Sequence, residues 1–307
     1  MNHSTLSTDL DPVHQDIEHI AKAENFHIIT SFRLDVPNDL AEIKARLCAE
    51  DQAFPFSLHR DRLLRSAQAL GWSDVADWLS GPLGLERLTL AVGSHISRAV
   101  LPSSSPNALK VRVTVNSDAV IGVECSLLAT GPSGQAYIGL RLPKELVAES
   151  VVPPSCKIVV DTEPTLPSLF TAHKTTARTP YENARKRANI SKSTADYGEV
   201  LLFNPDNEVM EGSTSTPYFY RAGRWVTPPL SSGGNAGVTR RVALDSYLCA
   251  EEIVKVDNLR DGETVWISNG VRGFIMGSLH LHDRPGGNLR ANDNPRDTGL
   301  YVSLPQK

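Results

Sequence analysis

Two residues far apart in the chain have side chains that could do chemistry together, a lysine at position 174 and a glutamate at position 211. Lys174 lies in the string FTAHKTTARTPYENARKRA, and its amine can form a Schiff base with an aldehyde if it is partly desolvated or close to other cations. Glu211 lies in VMEGSTST, and a buried carboxylate can hold a proton on a pyridine nitrogen so that the ring accepts electrons. Taken singly, each residue is more typical of a solvated surface, so the interpretation depends on what accompanies them.

A glycine-rich loop further along the chain could hold a phosphate group. The string SSGGNAGVTRR covers residues 231–241 and leads into a predicted helix. A helix start presents backbone N–H groups to an anion, and the contact would come from Gly237, Val238 and Thr239. The string matches neither of the common nucleotide-binding glycine motifs, so a plain flexible loop is the alternative interpretation.

A second candidate for the same phosphate is the string WISNGVRGF, residues 266–274. A strand that ends in Asn269 and Gly270 could present N–H groups to the anion, although Asn-Gly is also a strong signal for an ordinary turn. The small residues that follow Glu211, among them Ser213, would let the backbone approach a flat ligand. Together these strings predict a site for a flat aldehyde that carries a phosphate.

The elements before residue 163 predict an antiparallel sheet with helices on one side. Alternation of Val111, Val113 and Val115 with polar residues, and the turn that begins at Asn116, predict a β-hairpin. Apolar residues at helical spacing predict two helices upstream of it. The predicted elements are a strand over 26–35, helices over 39–50 and 58–72, the hairpin over 109–129 and a strand over 157–165.

Two prolines in TEPTLPSLF, residues 162–170, predict the connection to a second domain. The elements predicted beyond it are a helix over about 178–190, strands over 199–204, 216–228 and 263–269, and the helix that the glycine-rich loop opens. The expected domains are residues 1–163, of which 1–25 are a polar lead-in, and residues 164–284, followed by a flexible polar tail over 285–307.

Composition, charge and cysteine spacing restrict the kinds of partner and binding site that the protein is expected to have. The chain has 307 residues and a formal net charge of -4, so neither nucleic acid nor a membrane surface is expected as a partner. Its four cysteines are widely spaced and predict neither a disulfide framework nor a zinc site, and His280 and His282 lack further ligands for a metal. The N-terminus has no apolar stretch of signal-peptide length. We expect a cytoplasmic protein that acts on a small molecule.

The strings also carry a family resemblance. HKTTARTPY is similar to the signature H-K-T-T-x-R-x-x-Y of aminodeoxychorismate lyases, and SNGVRG and EGS resemble further stretches of that family, closest to its fungal branch. The order and approximate spacing of Lys174, Glu211, Thr239 and Asn269 resemble those of the fold-type IV pyridoxal-phosphate enzymes. The resemblance covers roughly residues 26–280.

This resemblance implies pyridoxal 5'-phosphate as the cofactor, a homodimer, and the two-domain α+β fold of D-amino-acid aminotransferases. That fold has a small domain of antiparallel sheet and helices, and a larger domain with a β-barrel-like core. LHRDRLLRSA resembles the fold's H-x-x-R-L helix, so Arg62 is the expected phosphate ligand, with His59 one turn before it. Tyr181 would approach the cofactor's phenolic oxygen or serve only in packing. The chain departs from its relatives at Thr216, where many carry Asn, and in its polar lead-in.

The reaction that the resemblance implies is the conversion of 4-amino-4-deoxychorismate to p-aminobenzoate and pyruvate, with Lys174 as the Schiff-base residue and general base. Arginines suit the two carboxylates of that substrate, and the candidates are Arg33, Arg178 and Arg272. Thr30 could supply a hydroxyl for proton delivery to the leaving group. The alternatives are a D-amino-acid or branched-chain aminotransferase on the same fold, and a non-catalytic homologue that binds the cofactor.

Overall fold

Two β-sheets, each with its own helices, make up the part of the chain that the structure describes. The computed structural model describes residues 20–35, 40–48, 55–98, 108–128, 156–190 and 198–281. The first half of the chain forms a three-stranded sheet and the second half an eight-stranded sheet. This confirms the α+β architecture that the sequence predicts.

The smaller sheet is antiparallel, in the order β1 (Ile28–Asp35), β2 (Ala108–Val115) and β3 (Ile121–Leu127). Buried and more exposed side chains alternate along β2, and Val111, Val113 and Val115 are fully buried. Asn116 shapes the hairpin turn, because its side-chain oxygen accepts hydrogen bonds from two N–H groups of the turn at 2.8 and 3.1 Å. The hairpin predicted from the valine alternation is therefore confirmed.

Four helices pack with this sheet: α1 (Leu40–Cys48), α2 (Phe56–Ala69), α3 (Ser73–Leu79) and α4 (Gly81–Arg98). Apolar spacing predicts α1 and α2, whereas the glycines and proline of α4 obscure its helical pattern. Packing requires one of those glycines, Gly84, because a Cβ at this position would lie 2.1 Å from the carbonyl oxygen of Leu79. The close approach of α3 and α4 therefore requires a residue without a side chain.

The larger sheet contains β4 (Cys156–Val160), β5 (Gly198–Phe203), β6 (Val209–Gly212), β7 (Thr216–Arg221), β8 (Arg224–Thr227), β9 (Ala250–Glu251), β10 (Thr264–Asn269) and β11 (Gly273–His280). Their order across the sheet is β6-β5-β4-β11-β10-β7-β8-β9. β6, at one edge, also packs against β7, so the sheet curls on itself, in agreement with the barrel-like core expected. The turn between β7 and β8 falls at Ala222 and Gly223, as predicted, and both have positive φ.

One strand belongs to a different sheet from the one expected. The run that starts at Cys156 was assigned to the first half of the chain, yet β4 pairs in parallel with β5 and β11 of the larger sheet. Its apolar run fits that position, because strands buried on both faces of a sheet lack polar alternation. The larger sheet thus begins before residue 163, and the domain division at that residue stays a prediction. Most of the lead-in and the whole of the tail lie outside the described residues.

Three further α-helices among the described residues accompany the larger sheet: α5 (Leu169–Ala172), α6 (Thr179–Arg187) and α7 (Val238–Asp245). Two short 3-10 helices, Leu230–Ser232 and Val256–Asn258, lie in the same half. The second half of the chain is also joined to β1 by backbone hydrogen bonds. The N–H of Ile29 donates to the carbonyl of Lys174 at 2.8 Å, and the N–H of Thr176 donates to the carbonyl of His27 at 2.9 Å. The two sheets therefore meet at the segment that carries the candidate Schiff-base lysine.

No helix in the described part of the chain is long and apolar enough to cross a membrane. Within the same residues, no group of three or more His, Cys, Asp or Glu side chains could hold a metal ion. His280 ends β11, while His282 lies outside the described residues.

Candidate active site

Lys174 lies in the short extended segment between α5 and α6, before the helix predicted over about 178–190, which begins at Thr179. The segment cannot continue α5, because its backbone groups bond to β1 instead. Burial is the main cause that lowers the pKa of the Lys174 amine to about 7, and the charges of Arg62 and Arg178 add to it, while Glu211 opposes them. An amine with a pKa near neutrality is partly unprotonated and can act as a base or nucleophile.

Glu211 lies on β6 with its side chain buried. Burial raises the pKa of its carboxyl to about 7, against the opposing effects of a hydrogen bond from Tyr181, the backbone N–H of Asn235, and the charges of Lys174 and Arg62. The hydroxyl of Tyr181 donates to Glu211 Oε1 at 2.6 Å. Lys174 and Glu211 act on each other's pKa, so the structure brings the two predicted residues into one interior.

Arg62 projects from α2 into the same interior. Its Nη2 donates to the side-chain oxygen of Asn235, which belongs to the glycine-rich loop. Its Nε is buried and has no hydrogen-bond partner in the described part of the chain. Burial lowers the pKa of Arg62 to about 10, while the charge of Glu211 raises it. A guanidinium with an unused buried donor is suited to an anion that enters the interior.

The glycine-rich loop ends at the start of α7, as predicted. Gly237 is the N-cap residue and provides no capping side chain, and Val238 and Thr239 are buried. The first N–H groups of a helix have no partner within the helix, so they remain available to an anion. The hydroxyl of Thr239 accepts a hydrogen bond from the Ser268 hydroxyl at 2.8 Å, which anchors the helix start to β10.

The Asn-Gly turn after β10 is built by its own side chain. The Asn269 side-chain oxygen accepts hydrogen bonds from the N–H groups of Val271 at 3.1 Å and Arg272 at 2.9 Å. A Cβ on Gly270 would lie 2.7 Å from the carbonyl oxygen of Ser31 in β1, so only glycine fits without a shift of the backbone. The turn is therefore pressed against the smaller sheet.

Thr30 and His59 form a buried pair beside the interior. The Thr30 hydroxyl and the His59 Nδ1 are 2.7 Å apart, and both side chains are almost fully buried. Burial and then the charges of Arg62 and Lys174 lower the pKa of His59 to about 3, so the ring is neutral at physiological pH. Its Nε2 is buried and lacks a partner among the described residues. Thr30 thus contacts a histidine, and its predicted role in proton delivery stays a prediction.

A cavity of about 180 Å³ opens next to Lys174. It lies between α2, the end of α5 and the glycine-rich loop, and its described polar lining consists of Arg62, Arg65, Ser66, His173, Lys174 and Asn235. Arg65 and His173 were not among the predicted site residues. His173 immediately precedes Lys174, and Arg65 lies one helical turn after Arg62. Their closeness to these two predicted site residues is the sequence signal that could have identified them.

Comparison with known proteins settles the family. The sequence model of the class IV aminotransferases matches residues 43–277. The chain belongs to this family. Aminodeoxychorismate lyase of Saccharomyces cerevisiae is 31% identical over 136 residues, which are 40% of this chain and 36% of the yeast protein. The match thus spans little more than a third of the yeast protein's length.

Solved structures of the family share the fold at low sequence identity. One, provisionally described as a 4-amino-4-deoxychorismate lyase, is 20% identical with a TM-score of 0.54 and covers 94% of both chains. A hypothetical aminotransferase of Mycobacterium tuberculosis in its PLP-bound form is 16% identical with a TM-score of 0.56, covering 88% of this chain and 87% of its own. These likenesses establish the fold.

The three candidate substrate arginines have different surroundings. Arg178 donates to the carbonyl of Ser213 at 2.7 Å, and its guanidinium lies 4.7 Å from the centre of the Tyr181 ring. Arg33 forms an ion pair with Asp35 at 3.0 Å near the surface. Arg272 is half-buried, and its charge acts on the thiol of Cys156. Of the three, only Arg178 affects the pKa of the candidate Schiff-base lysine.

Ser213 lies behind the site. Its hydroxyl donates to Glu199 at 2.5 Å and accepts from Arg185 at 2.9 Å, and its backbone carbonyl accepts from Arg178. Glu199 is fully buried and also accepts hydrogen bonds from the hydroxyls of Thr214 and Ser215, both at 2.7 Å. The sequence offered no sign of Glu199, because a lone acidic residue in an apolar strand has no motif around it. Ser213 thus holds the turn after Glu211, and its predicted contact with a cofactor stays a prediction.

Proposed function

We propose that the protein is a pyridoxal-phosphate-dependent lyase that converts 4-amino-4-deoxychorismate to p-aminobenzoate and pyruvate. The observation that carries the proposal is the shared interior of Lys174 and Glu211, in which burial moves the pKa of the amine down and that of the carboxyl up. Opposed shifts of this kind are typical of functional sites. The similarity to the yeast aminodeoxychorismate lyase favours the lyase reaction over others of the family.

The described residues fit the phosphate end of the cofactor. Arg62 has a buried donor without a partner, and the start of α7 has no side-chain cap over its N–H groups. A phosphate dianion would pair with the guanidinium and accept hydrogen bonds from Val238 and Thr239. The Asn235 side chain holds Arg62 in this direction.

The described residues also fit the pyridine ring of the cofactor. Glu211 would hold the proton of the ring nitrogen, and the Tyr181 hydroxyl keeps the carboxylate oriented at 2.6 Å. A positive ring nitrogen would favour the ionised carboxyl, since an opposite charge nearby lowers the pKa of an acid. When bound, pyridoxal phosphate supplies a ring that accepts the electrons released at the substrate carbon.

Lys174 would tether the cofactor aldehyde and, once the substrate amine has displaced it, take the proton from the carbon that bears the substrate nitrogen. Its pKa of about 7 keeps a large fraction of the amine unprotonated at neutral pH. Loss of that proton and departure of the enolpyruvyl group as pyruvate make the product ring aromatic, so the reaction is strongly downhill. The protein has to position the substrate and move one proton.

The test is incubation with 4-amino-4-deoxychorismate while p-aminobenzoate fluorescence and pyruvate release are followed. We expect equal amounts of both products, no turnover by Lys174→Ala, and wild-type turnover by Lys186→Ala, a control on the exposed side of α6. Turnover by Lys174→Ala would refute the mechanism. A homodimer in solution is also expected, and it can be checked by sedimentation.

An aminotransferase is the second candidate, favoured by the fold shared with the Mycobacterium tuberculosis protein. Incubation with D- or L-amino donors separates the two reactions. Stoichiometric release of keto acid, with no p-aminobenzoate from 4-amino-4-deoxychorismate, would replace the lyase with an aminotransferase. Protein that binds pyridoxal phosphate but catalyses neither reaction would indicate the non-catalytic homologue.

A further inference from the structure

The cavity beside Lys174 has a strong excess of positive charge. Arg62, Arg65 and Lys174 all contribute to its lining, and no carboxylate is found among the described residues that line it. The cations destabilise one another, since Arg65 lowers the pKa of Arg62 and Arg62 lowers the pKa of Lys174. Such a cavity is suited to anions, and more than one cation remains if a single phosphate binds at Arg62.

Arg65 is the cation that the cofactor site leaves over. It lies three residues after Arg62 on the same face of α2, and no hydrogen bond or ion pair engages it within the described residues. The carboxylate that acts on it most directly is Asp61. That group already pairs at 3.0 Å with Arg60 and at 3.0 Å with Arg241.

His173, directly after α5, offers a second group in the lining of the cavity. The Ser66 hydroxyl donates to the carbonyl of Arg62 at 3.0 Å, so its oxygen can only accept from His173 Nδ1, which is 3.1 Å away. The neutral ring then carries its proton on Nδ1 and has a lone pair on Nε2. Burial, Arg65 and Arg62 lower the pKa of His173, so the ring is neutral until an anion enters.

We propose that Arg65 and His173 form a carboxylate subsite beside Lys174, which holds one carboxylate of the substrate. This inference rests on the lyase function proposed above. Guanidinium groups bind carboxylates through two parallel hydrogen bonds, and the entering negative charge favours a proton on Nε2 of His173, which then donates as well. Of the three arginines expected from the sequence, Arg178 is held by the Ser213 carbonyl and Arg33 by Asp35.

Both the cofactor phosphate and a substrate carboxylate are oxyanions, so the experiment separates them. Cofactor-loaded protein is titrated calorimetrically with p-aminobenzoate, and cofactor-free protein with pyridoxal phosphate. We expect Arg65→Gln to weaken p-aminobenzoate binding by about 10- to 100-fold and to change the Kd of pyridoxal phosphate by less than about twofold. His173→Asn should weaken the same binding, because asparagine can still donate to Ser66 but has no second nitrogen in that position.

Two controls isolate the subsite from general electrostatics. Arg224→Gln removes a positive charge that pairs with Glu252 at 3.0 Å and does not line the cavity, and it should leave p-aminobenzoate binding unchanged. The uncharged probe 4-aminobenzamide should bind equally to wild type and Arg65→Gln.

Equal affinities of wild type and Arg65→Gln for p-aminobenzoate would overturn the subsite. A loss of pyridoxal-phosphate affinity in its place would assign Arg65 to the cofactor phosphate and would also overturn it. If wild type fails to turn over 4-amino-4-deoxychorismate while carboxylate binding still depends on Arg65, the lyase function fails and the carboxylate subsite stands.

Discussion

Replacement of Glu211 by glutamine tests whether the carboxyl is held in a site that opposes its ionisation. The pKa of Glu211 is raised from 4.5 to about 7. Since one pKa unit corresponds to about 1.4 kcal/mol, ionisation of this group in the folded protein costs about 3 kcal/mol more than in the unfolded chain. The folded state binds the proton more tightly, so this group lowers stability as the pH rises from about 4.5 to about 7.

The cofactor-free Glu211→Gln variant should therefore gain stability over wild type as the pH rises. Glutamine does not titrate and can still accept the Tyr181 hydrogen bond. Between pH of about 5 and about 8.5, the free energy of unfolding of the variant should rise relative to wild type by about 2 to 3 kcal/mol. Urea unfolding followed by intrinsic fluorescence at the two pH values measures the difference, and any pH-independent cost of the substitution cancels.

Glu208→Gln is the matched control. Hydrogen bonds from Ser232 and Lys255 lower the pKa of Glu208, the direction opposite to Glu211. Its stabilising contribution is present above its unfolded pKa and is lost only as the pH falls through its lower, folded pKa. Glu208→Gln should therefore lower the free energy of unfolding by the same amount at both pH values. If the free energies of unfolding of Glu211→Gln and wild type differ by the same amount at both pH values, the inference that burial opposes the ionisation of Glu211 is refuted.

Three further substitutions test how the site is supported. Thr30→Val leaves the Nδ1 of His59 buried without a partner and should cost about 1 to 3 kcal/mol in urea unfolding, with recovery in Thr30→Ser. Gly270→Ala places a Cβ 2.7 Å from the Ser31 carbonyl oxygen. This substitution should destabilise the protein by about 1 to 3 kcal/mol and should weaken pyridoxal-phosphate binding. An unchanged Kd for pyridoxal phosphate would contradict the placement of this turn. Glu199→Gln removes the charge that accepts three hydroxyl hydrogen bonds, and unfolding should be easier by about 3 kcal/mol; an effect below about 1 kcal/mol would argue against that network.

The sequence predicted the parts of the site that have a motif around them. Lys174 and Glu211 were paired because their strings occur in a known order, and Arg62 because of its helix motif. Residues without such a context were missed. Asn235 and Glu199 act through single hydrogen bonds or buried networks across long stretches of chain, and no periodicity marks such contacts.

The fold was predicted wherever burial alternates in a simple way. The hairpin of β2 and β3 followed from its valines, whereas the apolar run of β4 does not reveal which sheet it joins, because that depends on partners 40 or more residues away. The surroundings of Arg178 could not be predicted either. Its guanidinium donates to the Ser213 carbonyl, a contact visible only in three dimensions, and its role as a substrate ligand stays a prediction.

The backbone hydrogen bonds between β1 and the segment around Lys174 bear on what happens if the chain is cut in two. A fragment that ends before residue 156 would carry Arg62 and β1, and the other would carry Lys174 and Glu211. Neither fragment alone would carry the full set of proposed cofactor ligands, because the second fragment lacks Arg62 and the first lacks Lys174, Glu211 and the start of α7. The two pieces would reassociate through the backbone hydrogen bonds between β1 and the segment around Lys174. Recovery of the absorbance of bound cofactor after mixing would measure how completely these hydrogen bonds re-form.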